Sequence, residues 1–130
     1  MIVVDTSALL AILQDEPGSE RLSRVLAKEQ QTLLAAGNLT EAMIVASRRG
    51  LHEDMAALIA TTIREVLPLT AERAERAAAA YRRFGKGFHS AGLNFGDCFA
   101  YATAEEFGCP LLFIGADFAR TDLAPALPPH

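Results

Sequence analysis

A chain of 130 residues that is 51% hydrophobic carries enough apolar matter for one core without disulfide or metal staples. Its net charge of 12 − 16 = −4 excludes the strongly basic class of nucleic-acid binders. No apolar run approaches the roughly 20 residues of a membrane span, no basic leader precedes a cleavage site, and Cys98 and Cys109 form neither a disulfide framework nor a metal pair. The expectation is a single domain over residues 1–130, with reduced thiols and a cytoplasmic location.

Ile2-Val3-Val4 is a β-branched run that reads as a short buried strand, and Asp5 ends it abruptly. Ser7 to Leu13 continues as a helix. Asp15-Glu16-Pro17-Gly18 is a turn, and Ser19 is placed to cap a helix from Glu20 to Glu29 whose buried face is Leu22, Val25 and Leu26. Thr32 to Ala36 reads as a second strand stopped by Gly37. Asn38-Leu39-Thr40-Glu41 fits a capping box, with a helix running on to Arg48-Arg49 and Gly50. Glu53 to Arg64 is a further amphipathic helix.

Val66 to Leu69 is a strand interrupted by Pro68, hence an edge. Thr70 caps an alanine-rich helix, Ala71 to Phe84. Residues 85–96 hold four glycines and read as a flexible loop leading to a helix from Asp97 to Phe107. Leu111 to Ile114 is a last buried strand, followed by Gly115-Ala116-Asp117 and a proline-rich end expected to fray. Strands alternating with helices predict an α/β fold, three α/β/α layers around a central, mostly parallel sheet.

Asp5, Glu41, Asp97 and Asp117 stand at strand ends or helix starts. Each has an ordinary explanation: Asp5 as a helix N-cap, Glu41 and Asp97 as capping-box partners of Asn38 and Asn94, Asp117 as a turn acid. Open parallel sheets nevertheless put the carboxyl ends of their strands, and their ligands, on one edge. Ionised carboxylates about 5 Å apart repel by roughly 3 kcal/mol at an effective dielectric near 20. A hard divalent cation removes that repulsion, and oxygen-only ligands suit Mg²⁺ or Mn²⁺. The four acids also equal the whole net charge of −4, so the rest of the surface is neutral overall. Histidine is not needed; His52, His89 and His130 show no metal-ligand spacing.

The segments IVVDTSALLAIL, LNFGDCFAYATA and LLFIGADFARTDL, with Glu41 between the first two, resemble the PIN-domain ribonucleases, most closely the VapC-type toxins of toxin–antitoxin modules. The resemblance implies a PIN-like fold and Mg²⁺- or Mn²⁺-dependent hydrolysis of RNA to 5′-phosphate and 3′-hydroxyl ends. It also implies Asp5, Glu41, Asp97 and Asp117 as the acidic quartet, with Asp5 and Asp97 holding metal. Ser7, rather than Thr6, corresponds to the family's hydroxyl, and Asp122 is an additional acid. Ala116 departs from relatives, which often carry a polar or acidic residue there. The implied partners are an RNA substrate, a cognate VapB-type antitoxin and a second copy in a homodimer. An apolar groove between the early helices, including Leu9, Leu10, Ile12 and Leu13, suits an antitoxin segment.

Arg82, Arg83, Lys86 and His89 flank the glycine-rich loop and are the expected contacts to the RNA backbone. Phe88 and Phe95 in the same loop offer faces on which bases stack, although burial is the commoner fate of phenylalanine. Two rival readings stand beside this one. An aspartyl-phosphate phosphatase of haloacid-dehalogenase type also begins strand-then-Asp, but needs an acid where Ser7 stands. A catalytically inactive protein-binding domain would not need all four acids.

Overall fold

A computed structural model describes residues 1–127. Four strands, β1 (Ile2–Val4), β2 (Thr32–Ala35), β3 (Glu65–Leu67) and β4 (Leu111–Leu112), form one sheet in the order β3-β2-β1-β4, each pair parallel. Six helices accompany them: α1 (Thr6–Leu13), α2 (Ser19–Lys28), α3 (Ala36–Arg48), α4 (His52–Thr62), α5 (Ala71–Phe84) and α6 (Phe95–Phe107).

Alternation along the strands divides the interior in two. Val3, Leu33, Leu67 and Leu111 pack with Ala77, Ala80 and Phe84 of α5 and Ala100, Tyr101 and Ala104 of α6. Ile2, Val4, Leu34 and Leu112 pack instead with Leu9, Leu22, Ala42, Ala46, Met55 and Ile59 from α1 to α4. These are the three expected layers. β3 is an edge strand, as Pro68 beside it requires.

Several boundaries differ from the sequence reading for physical reasons. Helix α3 starts at Ala36, directly after β2, so Asn38 is not a cap but a fully buried residue in the first turn. Helix α2 is capped by Gly18 at φ 90°; Ser19 lies inside the helix and donates to Asp15 Oδ1 at 3.3 Å. Helix α4 is displaced toward His52 and stops at Thr62. Arg64 is no longer helical: its N–H donates to Thr32 O at 3.0 Å and Oγ1 at 2.9 Å, which sets up β3. Strand β4 is two residues long rather than four, and Phe118–Arg120 form a short 3₁₀ turn.

The segment expected as a flexible loop is folded on itself. Lys86 N donates to Leu93 O at 2.9 Å and Leu93 N to Phe84 O at 3.0 Å, while Ala91 and Leu93 are buried. The tail does not fray up to Leu127: Leu111 N bonds Ala124 O at 3.1 Å and Ala126 N bonds Leu111 O at 2.8 Å. Residues 128–130, and with them His130 and the end of the proline-rich tail, lie outside the described residues.

Candidate active site at the carboxyl edge of the sheet

Asp5 leaves β1 at the moment the chain turns into α1. Its Oδ2 accepts from Ser7 N at 3.0 Å, so the N-cap role is real. Its other oxygen, Oδ1, is buried and has no hydrogen-bond partner. Burial pushes the Asp5 carboxyl up from 3.8 to about 7; hydrogen bonding from Ser7 pulls it down, and the charges of Asp97 and Glu41 push it up again.

Glu41 is not a capping residue, because the helix it occupies began five residues earlier. Asn38 holds it in place: Asn38 Nδ2 donates to Glu41 Oε1 at 3.3 Å and to Gly96 O at 2.9 Å. A Thr6 Oγ1 hydrogen bond to Asn38 O, 3.2 Å, joins this cluster to the start of α1. The buried Asn38 Oδ1 has no partner either. Two unpaired buried acceptors in one bonded cluster are costly unless a donor or a cation meets them.

Asp97 sits at the third position of α6 and completes a capping box with Asn94. Asp97 N donates to Asn94 Oδ1 at 2.9 Å, and Asn94 N to Asp97 Oδ2 at 3.0 Å. Burial raises its proton affinity above the usual carboxylate range, Asn94 opposes this, and the charges of Asp117 and Glu41 add to it. Capping and clustering therefore coexist in one side chain.

Helices α3 and α6 approach through two glycines. A Cβ on Gly37 would stand 2.8 Å from the Phe99 ring, and a Cβ on Gly96 would stand 2.2 Å from Glu41 Oε2. The Glu41 carboxylate thus lies over the bare backbone at the start of α6, the helix that carries Asp97. Asp117, exposed after β4, acts on Asp97 through its charge. Ser7 Oγ accepts from Ile114 N at 3.1 Å, tying the chain that leads to Asp117 back to the start of α1.

The donor set is all oxygen, with an unpaired oxygen on Asp5 and a glycine that keeps space around Glu41. It fits a hard divalent cation. Among the described residues no three His, Cys, Asp or Glu side chains stand close enough to grip one ion together.

Other expected residues are used elsewhere. Asp122 accepts from Tyr101 Oη at 2.6 Å and from Arg83 at 3.3 Å, and Arg83 also pairs with Glu105 at 3.3 Å. His89 Nδ1 accepts from Ala91 N at 2.9 Å, and its ring stands edge-on to Phe84, so it shapes the turn. Arg82 and Lys86 are exposed. Cys98 is buried and its thiol is pushed up to about 11, the state of an inert core residue. Asn38, Gly37 and Gly96 are the residues that sequence reasoning missed as site builders. The glycine beside an acid in Gly96-Asp97 was the available signal for Gly96.

Fold and edge together define a parallel α/β domain with acidic side chains at the carboxyl edge of its sheet. The PIN domain model matches residues 2–123. A Ribonuclease VapC of Mycolicibacterium smegmatis is 44% identical, covering 95% of this chain and 98% of its own length. Ribonuclease VapC30 of Mycobacterium tuberculosis is 40% identical, with 95% and 96% covered. Among solved structures, Mycobacterium tuberculosis VapC20, a sarcin-ricin-loop-cleaving toxin, superposes with a TM-score of 0.77 at 22% identity, covering 95% of this chain and 97% of that one. A toxin–antitoxin complex from Klebsiella pneumoniae superposes at 0.72 and 18% identity, with 94% and 93% covered. The chain belongs to the PIN-domain family, among its VapC-type ribonucleases. Among the described residues no helix is long and apolar enough to cross a membrane.

Proposed function

We propose that this protein is the toxin half of a toxin–antitoxin pair, a cytoplasmic endoribonuclease whose divalent cation would be held by Asp5 and Asp97, with Glu41 and Asp117 as the other acids of the catalytic edge. Mg²⁺ or Mn²⁺ is the metal that the hard oxygen donors suit. The observation that carries the reading is Asp5: a buried carboxylate with one oxygen unpaired, within the field of Asp97 and Glu41. A fold that needed only a helix cap at this position would be served by Asn or Ser without the charge.

When bound, the ion neutralises the scissile phosphate and eases deprotonation of the attacking water. The remaining work falls to the chain. Asp5 and Asp97 would hold the cation, with Glu41 and Asp117 lending their charge to the same edge. Ser7 N keeps one Asp5 oxygen occupied, so the other is the one offered to the ligand. Asn38 orients the Glu41 carboxylate and ties it to the first turn of α6. As the water oxygen bonds to phosphorus and the P–O3′ bond breaks, the carboxylate cluster would take the water's proton and the 3′ oxygen would take one from solvent, so that the products carry 5′-phosphate and 3′-hydroxyl ends. Lys86 and Arg82 supply the phosphate attraction that the acidic total charge lacks.

Leu10, Leu13 and Val25, only partly buried against the α1–α4 side of the core, are the surface on which an antitoxin segment would lie. A homodimer is the expected resting state.

The test is cleavage of total RNA by purified protein in Mn²⁺, compared with Asp5→Asn. The parent is expected to cut and the variant to lose at least about a hundredfold, in the range typical for removal of a group that acts in the transition state. A variant that cuts as fast as the parent ends the metal-site reading. A parent that does not cut favours a protein-binding domain.

A further inference from the structure

Aromatic side chains are the largest contributors of buried apolar area, so an exposed one next to a reactive site is informative. Phe95 is 78% exposed. It opens α6, beside Gly96, against whose backbone the Glu41 carboxylate of α3 lies, and two residues from Asp97. One edge contact holds it: the Phe99 ring, at 5.0 Å and 87°. That T-shaped contact supports one side of the ring and leaves the rest open to solvent.

Phe95 forms one wall of an open groove of about 730 Å³ between α5 and α6. Phe99, Tyr81 and Ala78 line it further, and Arg82 stands at its rim. Arg82 makes no ion pair among the described residues, in contrast to Arg83, which is held by Glu105 and Asp122. An apolar floor with an exposed aromatic face and one unpaired guanidinium, at the end of α6 that also carries Asp97, has the parts of a single-stranded nucleic-acid subsite. The π-face takes a base and the guanidinium takes the neighbouring phosphate. The protein's net charge of −4 makes a free cation at this place more telling than it would be on a basic surface.

We infer that the α5–α6 groove seats an unpaired base of the RNA next to the scissile phosphate, with Phe95 as its stacking face and Arg82 on the adjoining phosphate. The inference rests on the ribonuclease reading above. It explains how an enzyme with an acidic total charge holds a single strand across its metal edge. It also gives the cleavage site a preference for unpaired RNA, since a base held in a duplex stack cannot enter the groove. A second copy of the chain is the competing occupant, because the same apolar wall would also serve a dimer.

The test measures binding of a fluorescein-labelled ten-nucleotide oligoadenylate in EDTA, where no cleavage occurs, alongside Mn²⁺-dependent cleavage and mass by light scattering. Phe95→Ala is expected to weaken binding by about 5- to 150-fold, the range for loss of one base–aromatic stack. Phe95→Trp is expected to retain binding, and Phe95→Leu, which keeps apolar bulk but no π-face, to lose it. Arg82→Ala is expected to reduce the slope of log Kd against log salt by about 0.7, one phosphate contact on a single strand. Unchanged binding in Phe95→Ala overturns the inference while leaving the ribonuclease reading intact, as does an oligoadenylate that fails to bind a parent that cleaves. A Phe95→Ala variant that turns a dimer into a monomer, with Phe95→Leu behaving as the parent, assigns the groove to the second copy and overturns it too. A parent that neither binds nor cleaves removes the ribonuclease reading and the groove with it.

Discussion

Replacing Asp5 by Asn is expected to change the stability of the metal-free protein in a pH-dependent way, stabilising it at alkaline relative to acid pH. Asp5 is raised from 3.8 to about 7 in the folded protein. Between those values the folded state holds a proton that the unfolded chain has released, so stability is lost as pH rises. The penalty is absent well below 3.8, grows through the interval and is complete above about 7. At about 1.36 kcal/mol per pH unit it reaches about 4 kcal/mol. Asn removes this titration while remaining an equally good N-cap for Ser7 N. Its amide adds a constant cost of about 1–3 kcal/mol if it finds no acceptor, which shifts the comparison without changing its slope. Urea unfolding in EDTA at several pH values measures both proteins. The difference, Asp5→Asn minus parent, is expected to rise by about 3 kcal/mol between pH 4.5 and 8. A difference that stays flat within about 1 kcal/mol over that interval would refute a buried, strained carboxylate at Asp5.

Gly96→Ala places a Cβ 2.2 Å from Glu41 Oε2, a contact the flexible Glu41 side chain relieves only by leaving its position. RNA cleavage is expected to fall at least about tenfold while stability changes by under about 1 kcal/mol, because alanine is the better helix former; urea unfolding and cleavage rate on the same sample check this. Asn38→Ala removes the bonds to Glu41 and Gly96, both at the buried α3–α6 contact. It is expected to cost about 1–3 kcal/mol and to lower cleavage as well, and a variant as stable and active as the parent would show that the bridge is idle. Asp122→Ala breaks a mostly exposed pair with Arg83 and the Tyr101 contact. It is expected to leave cleavage within a few-fold of the parent and to cost about 1–3 kcal/mol, mostly from the Tyr101 hydroxyl left without its acceptor; a loss of cleavage comparable to that of Asp5→Asn would place it in the metal site.

Much of the fold was legible because its signals are local. The run Ile2-Val3-Val4 cut off by Asp5, and the Thr70 cap on an alanine-rich helix, need no tertiary information, and both stand as read. What failed were local patterns with a distant competitor. Asn38-x-x-Glu41 matches a capping box, but the buried partner that decides the role of Asn38 is Gly96, 58 residues away. Glycine count made residues 85–96 look flexible, whereas burial of Ala91 and Leu93 under the α5–α6 layer closes the segment into a turn. The site was legible one acid at a time. Asp5 follows from strand-end placement, but the field that Glu41 exerts on Asp97 depends on how closely α3 approaches α6. That approach is set by Gly37 and Gly96, residues whose sequence signature is shared with ordinary turns. Asp122 and Arg83 stood in plausible motifs, and only the structure shows them tied to each other.

Whether Asp5 and Asp97 belong to one cation site, as proposed, is decided by Mn²⁺ binding to EDTA-stripped, RNA-free protein. Calorimetric titration of the parent, Asp5→Asn and Asp97→Asn is predicted to show binding in the parent and at least about tenfold weaker binding in each variant, a loss of about 1.4 kcal/mol or more. Variants that bind Mn²⁺ as tightly as the parent would contradict the proposal.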